Sequence, residues 1–327
     1  MAHRTSVIIP TYNGASRIGE CLKSLAAQEP LAPDEVIVVD DGSTQDVSAV
    51  VAGFAGVRLI RQANAGPAAA RNNGVRNASG DIILFIDDDC VPAPDWLSRM
   101  VEPFADPEIA GCKGAYLTRQ TSLTARFVQV EYEQKYDRLS RKRFIDFVDT
   151  YSAAFRRDVF LEAGGFDERF TTASAEDQEL SFRLANAGRQ LVFVPAARVW
   201  HTHVSSVRQY ARKKRKNGYW KIMVVLKNPN KLAGDDHTPL SQKLQVGLAL
   251  VWPLSLPALA WWPWGLAAPV GLATLFAASS IGLTARCFRR DKPVALIAPL
   301  LIALRAGCLA WGMVAGWLCR RKMLAGR

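Results

Sequence analysis

From Leu244 to Ala285 the chain carries no charged side chain. The run V-G-L-A-L-V-W-P-L-S-L-P-A-L-A-W-W starting at Val246 continues into G-L-A-A-P-V-G-L-A-T-L-F-A-A-S-S-I-G-L-T-A. A membrane-crossing helix needs about 20 apolar residues, so a run of about 40 suffices for two. Trp261-Trp262-Pro263-Trp264 supplies the hinge, with tryptophans of the kind that gather at membrane–water boundaries. Helices apolar all round lack a solvent face, which leaves a buried hairpin of a soluble domain as the alternative. A third stretch, Pro293 to Leu318, is also long enough, but Arg305 near its middle is costly unless it is paired or faces a cavity. Positive-inside counting puts Lys243 and the Arg286, Arg289, Arg290, Lys292 loop on the cytosolic side, as a two-helix hairpin requires. A third crossing would carry Arg320, Arg321 and Lys322 outside, against that bias. The expectation is two spans, with the third open.

The remainder of the 327 residues is globular in composition. Overall, 49% hydrophobic and 22% charged residues exclude a disordered or collagen-like chain. The six cysteines are scattered without a C-x-x-C pair, which argues against a zinc site or disulfide framework and for reduced thiols. Met1 to Thr5 lead straight into the short apolar run Ser6 to Ile9, closed by Pro10, so no secretory signal is expected and the N-terminal domain should stay in the cytosol. The net charge of +11 suits nucleic acid, an anionic membrane or a phosphorylated substrate. Much of it is concentrated between Arg208 and Lys221, a stretch without an acid that also holds Tyr210, Tyr219 and Trp220. Just ahead of membrane helices, such a segment reads as an interfacial helix that meets anionic lipid. A solvated helix and a nucleic-acid patch are the competing readings. The chain is thus expected to divide into residues 1–204, a basic helix and linker over 205–243, and a membrane region over 244–327.

The first 200 residues alternate short β-branched runs with helical stretches, the pattern of an α/β domain with a mostly parallel sheet. Strands are predicted at Thr5–Pro10, Glu35–Asp40, Val57–Ile60, Asp81–Asp87 and Leu191–Pro195, and a helix over Ile18–Gln28. In open parallel sheets ligands sit beyond the carboxyl ends of strands. Thr11-Tyr12-Asn13, Asp40-Asp41-Gly42-Ser43 and Asp87-Asp88-Asp89 should therefore converge.

Three consecutive carboxylates are unfavourable without a cation or a donor-rich ligand, and Mg2+ or Mn2+ prefers oxygen donors. Magnesium fills its shell with phosphate oxygens, so a metal-bound diphosphate is the implied substrate; a solvated acidic turn is the alternative. There is neither G-x-G-x-x-G after the first strand nor G-x-x-x-x-G-K-[ST] anywhere, which argues against a dehydrogenase or a P-loop NTPase. Glu176 and Asp177 could serve as a general base pair, or could simply belong to a helix start capped by Ser174 or Thr172.

Several short motifs, in order, now match one family. P-T-Y-N at Pro10 to Asn13, V-D-D-G-S at Val39 to Ser43, N-x-G-x-x-x-x-R-N-x-G at Asn64 to Gly74, I-D-D-D at Ile86 to Asp89, G-G-F-D-E at Gly164 to Glu168 and E-D-Q-E-L-S-F-R-L at Glu176 to Leu184 together resemble glycosyltransferase family 2 over residues 5 to 205. The resemblance implies a GT-A fold (a Rossmann-like mixed sheet), a nucleotide-diphosphate sugar donor, a Mn2+ or Mg2+ cofactor and inversion at the anomeric carbon. It implies Asp89 as direct metal ligand with Asp87, Asp88 near the ribose or diphosphate, and His201 as a further donor to the metal. Asp41 would hydrogen-bond the base, with Asp40 as its alternative; Pro10, Thr11, Tyr12 and Asn13 would line the nucleotide pocket, and Arg71 would approach the nucleotide. Asp177, beside Glu176, would be the catalytic base, and Gly164 to Asp167 an acceptor-side loop. By alternation His203 should share a side with His201 and reach the same ligand.

The expected activity is transfer of one sugar, most plausibly from a UDP-sugar, to a membrane-associated acceptor such as a lipid-linked intermediate or growing glycan, with membrane lipids as partners and no nucleic acid. A processive polysaccharide synthase is the near alternative, although R-K-N-G-Y-W-K at Arg215 to Lys221 departs from the Q-x-x-R-W motif of processive members. A non-catalytic membrane scaffold is the alternative of another class.

Overall fold

The computed structural model describes residues 3–172, 174–231, 234–261 and 263–321. Trp262 of the hinge and Lys322 of the terminal basic cluster lie outside the described residues. The chain forms two compact units: residues 1–119 with 136–202, and residues 120–135 with 203–327. Residues 120–135 thus fall in the second unit, although they lie inside the stretch 1–204.

In the first unit β1 (Thr5–Thr11), α1 (Ile18–Ala26), β2 (Glu35–Asp40), α2 (Val47–Val51), β3 (Val57–Arg61), α3 (Pro67–Arg76) and β4 (Ile82–Ile86) alternate as the sequence pattern requires. There follow β5 (Cys90–Pro92), α4 (Trp96–Val101), β6 (Ile109–Leu117), α5 (Leu123–Leu139, divided between the units), β7 (Ser152–Arg156), α6 (Arg157–Glu162), α7 (Glu176–Asn186) and β8 (Gln190–His201). The eight strands form one sheet in the order β3-β2-β1-β4-β7-β6-β8-β5. Its first four strands are parallel, whereas β7 is antiparallel to β4 and β6, and β5 is antiparallel to β8. The sheet is therefore mixed rather than mostly parallel.

Strands β1, β2 and β4 are apolar at consecutive positions because both of their faces are covered, as in the interior of α/β sheets. Ile8, Val39, Ile83 and Phe85 join Leu180 and Leu184 of α7 in one core. Phe85, Phe160 and Phe166 meet edge-on or tilted at centroid distances of 5.2 to 5.6 Å, the geometry that aromatic quadrupoles favour. This packing holds the carboxyl ends of β1, β2 and β4 in one plane.

The second unit adds α8 (Val207–Lys227), α9 (Leu240–Ser255), α10 (Ala267–Arg290) and α11 (Lys292–Leu318). Among the described residues, three segments are long and apolar enough to cross a membrane: Leu240–Trp261, Trp264–Arg290 and Lys292–Leu318. α8 begins with a reciprocal cap between Ser206 and Gln209. It packs closely on α11, where Gly218 lies against the backbone of Leu309 and Gly312 against that of Arg215. Any larger side chain at either glycine would force the helices apart.

Arg305, the costly residue of the third stretch, is paired. It donates to Glu131 Oε1 on α5 (2.5 Å) and to Gln245 Oε1 on α9 (2.7 Å). Lys214 and Tyr210 of α8 donate to the same carboxylate. Burial alone would raise the Glu131 pKa, but Lys214 and Arg305 hold it below the usual carboxylate range. Removing one partner of a buried ion pair leaves the other uncompensated, so Glu131→Leu should destabilise the protein by about 3–5 kcal/mol. Adding Arg305→Leu should restore part of that loss, because an apolar pair needs no desolvation. Thermal unfolding of both variants in detergent measures this; equal losses would show that the pair is not energetically coupled.

Candidate functional site

The three strand-end clusters do converge. Thr11 pairs with Asp40 in the β1–β2 register, and the Asp41 N–H donates to the Thr11 carbonyl at 2.9 Å. The Thr11 hydroxyl donates to Asp88 Oδ2 at 2.6 Å, joining the end of β1 to that of β4. Asn13, with φ of 52°, closes the rim: its N–H donates to Ser43 Oγ, and its side-chain oxygen accepts from the Thr44 N–H and hydroxyl. Pro10 is half-buried, while Tyr12 is 51% exposed and leaves a ring face for a planar ligand.

Asp41 is buried, and its carboxylate accepts from Gln62 Nε2, Ala65 N and Gly66 N. Gly66 has φ of 93° and lies against the Thr171 backbone, a position that excludes a Cβ. Asp40 accepts from Ser43 N and lies 3.5 Å from Arg61. Both acids therefore shape the loop that leads into α3.

The acids of the Asp87–Asp89 cluster go three ways. Asp87 pairs with Arg71 at 2.8 Å. Asp88 is buried against Thr11 and Arg17; burial pushes its carboxyl up, while those two donors pull it back. Asp89 faces His201, whose Nε2 lies 3.6 Å from Oδ2. The antiparallel register that sets Cys90 opposite His201 brings this about, and the ring of Tyr116 flanks the imidazole at 4.3 Å. Donor atoms of Asp89, Cys90 and His201 lie within 4.8 Å of one another. A carboxylate and an imidazole fit Mn2+ or Mg2+ bound chiefly through oxygen. The Cys90 thiol is pushed well up by burial and by Asp87 and Asp89, which keeps it protonated. Asp87 is not part of this group.

Arg71 is the residue whose role the motifs understated. Only 3% exposed, its guanidinium reaches Asp87 on one side and Glu176, at 2.9 Å, on the other. Glu176 also accepts from Ser174 N. The first turn of α7 is thereby fixed beside the end of β4. The residue capping α7 is Ala175, which supplies no side-chain cap, while Glu176, Asp177 and Glu179 stand in its first turn.

Asp177, next on that turn, is half-buried and accepts from Gln178 N. Burial, then the charges of Glu176 and Asp149, push its carboxyl well above the usual range, against the pull of Arg71. Asp149 was not foreseen from sequence. It pairs with Lys113, a fully buried ammonium ringed by Tyr136, Phe147, Tyr151 and Phe193. An isolated lysine in a strand gives no sequence signal for such a pairing. Gly164 and Gly165 both have positive φ.

His203 departs from expectation. It lies beyond the end of β8, with its ring bonded to Gln129 and stacked on Tyr132 rather than paired with His201. Burial, with Lys213 adding to it, lowers its pKa to about 3, so it stays neutral at physiological pH.

A raised carboxyl pKa means that the folded state binds its proton more tightly than the unfolded chain, so stability falls as pH rises through the elevated value. Asp177→Asn removes that penalty. Its melting temperature should exceed that of the unaltered protein near about pH 8, and the advantage should vanish below about pH 3, under the unfolded aspartate value, where both states are protonated. A pH series of thermal unfolding checks this; a variant less stable at the higher pH would contradict the assigned environment.

Residues 6–164 match the family described as glycosyl transferase family 2. The pre-mycofactocin glycosyltransferase of Mycobacterium tuberculosis is 29% identical over 242 residues, 71% of this chain and 50% of that protein. A glycosyltransferase of Haloferax volcanii is 31% identical over 58% of this chain and 63% of its own length. The chain therefore spans about half to two-thirds of these relatives. A mannosyltransferase from Pyrobaculum calidifontis, solved in complex with GDP-Man and Mn2+, superposes with a TM-score of 0.62 at 21% identity, covering 97% of this chain and 88% of that one. That likeness establishes the fold as GT-A. Residues 6–164 thus carry the fold and the sequence pattern of glycosyl transferase family 2.

Proposed function

We propose that the protein transfers a single sugar, with inversion, from a nucleotide-diphosphate donor, a UDP-sugar, to a membrane-associated acceptor such as a lipid-linked intermediate or growing glycan. The observation that carries this reading is the Arg71 bridge, which sets Asp177 of α7 beside the acids at the end of β4. Donor-side and acceptor-side groups are thereby held in one site.

Tyr12 offers its exposed ring to the base, and Pro10, Thr11 and Asn13 shape the pocket around it. Asp41 takes part through the loop that it folds, with its backbone at the pocket edge, and Asp88 holds Thr11 in place at the diphosphate end. Asp89 and His201 would hold Mn2+ or Mg2+, with Asp87 beside them; the metal supplies stabilisation of charge on the departing diphosphate. Asp177 takes the proton of the acceptor hydroxyl as it attacks the anomeric carbon from the face opposite the leaving group. A base works best with a pKa near the operating pH, and the elevation of Asp177 moves it in that direction. Glu176 holds the turn through Arg71.

The membrane setting follows from three helices with the length and composition of spans, and from the cationic start of α8. The catalytic unit faces the cytosol, where nucleotide sugars are made, and neighbouring lipids are partners of the second unit; nucleic acid is not. Departure from the processive motif at Arg215 to Lys221 favours single transfer.

Detergent-purified protein incubated with a panel of nucleotide sugars, Mn2+ or Mg2+, and native membrane lipids should yield metal-dependent, lipid-linked label that Asp89→Ala abolishes. Label only in water-soluble products would overturn the acceptor assignment. Asp177→Asn should lower turnover by about 10²- to 10⁴-fold while leaving donor affinity within a few fold, because the base acts on the acceptor. Unchanged turnover in that variant would remove Asp177 from the mechanism.

A further inference from the structure

The second unit poses a problem that hydropathy alone does not. Arg305 stands midway along the 27 residues of α11, and its partner Glu131 is also held by Lys214 of α8. At the next turns Gly312 of α11 lies against the backbone of Arg215 and Tyr219. Arg212, Lys213 and Arg215 are exposed on that stretch of α8. A crossing of the bilayer centred on α11 would place these cations in hydrocarbon, opposite the middle of the span, where long side chains cannot reach the headgroups as they do near helix ends.

The exposed face of α11 points the same way. Leu296, Leu300, Ala303, Gly307, Trp311 and Leu318 are exposed, apolar and spaced to form one line along the helix, while the opposite face packs on protein. One apolar line along an otherwise covered helix is the pattern of an element lying in the membrane interface.

Helices α9 and α10 differ. Gln245, near the start of α9, bonds Arg305 and also donates to the Ser279 carbonyl of α10, so these positions share the level of the charged layer. Beyond it each segment continues for about 16 uncharged residues to Trp261 or Trp264, about 24 Å at 1.5 Å per residue. That approaches the roughly 30 Å thickness of a hydrocarbon core.

Resting on the membrane reading above, we infer that only the α9–α10 hairpin penetrates the bilayer. α11 lies in the headgroup layer on the side of α8, with its apolar line against the acyl chains of one leaflet. The chain then begins and ends on the same face of the membrane.

The test uses the full chain with an epitope tag at each end, in sealed vesicles of known orientation treated with protease, after an alkaline carbonate wash. Both tags should be cleaved in one orientation and both protected in the other, with the chain in the washed pellet. Tags on opposite faces, with the chain in the pellet, overturn this inference and leave the membrane reading intact; a chain in the carbonate supernatant overturns both. A depth measurement gives an independent check. With Cys308 and Cys319 replaced, fluorophores on Leu296→Cys, Gly307→Cys and Leu318→Cys should all be quenched more strongly by shallow than by deep nitroxide lipids. A midpoint quenched best by the deep lipid would show a spanning helix and overturn the assignment.

Discussion

The guanidinium of Arg71 is the contact on which the site depends. Burying an arginine is unfavourable unless its charge is offset, and here Asp87 and Glu176 offset it from two different elements, each accepting from one of the two terminal nitrogens. The bridge works as a distance constraint. It ties the end of β4 to the start of α7, and Asp177 inherits its position from being the next residue on that turn. Phe166, from the loop between α6 and α7, lies under the guanidinium at 5.8 Å and links the aromatic core to the same charge. A lysine could not meet two carboxylates with fixed, separate N–H pairs, which accounts for an arginine at this position.

Sequence reasoning reached the frame of the first unit because that frame is local. β-branched runs ending at Pro10, Asp40 and Asp87 are legible as strands, and the rule that ligands meet strand carboxyl ends brings the clusters after them together. The pairings inside the site were not legible. Arg71 and Glu176 are 105 positions apart, and nothing in either neighbourhood records the other. Lys113 and Asp149 are a further instance, a buried ion pair between a strand and a loop. Alternation also misled at His203: the rule that residues two apart share a side holds within a strand, and β8 ends at His201.

The second unit shows the same division between what is local and what is not. Composition identified the apolar helices and marked Arg305 as a residue that required a partner. It could not name that partner, because Glu131 lies 174 positions earlier, within the stretch 1–204. Once Glu131 is in place, the cationic start of α8 acquires a second role. Besides offering positive charge to lipid, it supplies Lys214 to the buried carboxylate, so one acid offsets two cations in the interior of the unit.

Adjacent carboxylates can do different work only if their surroundings differ, and on α7 they do. Glu176 spends its oxygens on Arg71 and on the N–H of Ser174. Asp177 receives one backbone donor, and burial with the charges of Glu176 and Asp149 outweighs the pull of Arg71. The charge of Asp149 belongs to this arrangement because its segment is fixed to the same helix: the Val148 N–H donates to Ser181 Oγ, which in turn donates to the Asp177 carbonyl. Lys113 of β6, for its part, pairs with Asp149 among four aromatic rings. Burial first, then the charges of Glu176 on α7 and Asp149 on the segment before β7, raise the proton affinity of Asp177. That raised proton affinity costs the folded state stability above the ordinary aspartate range, a cost that a neutral side chain at this position would not carry.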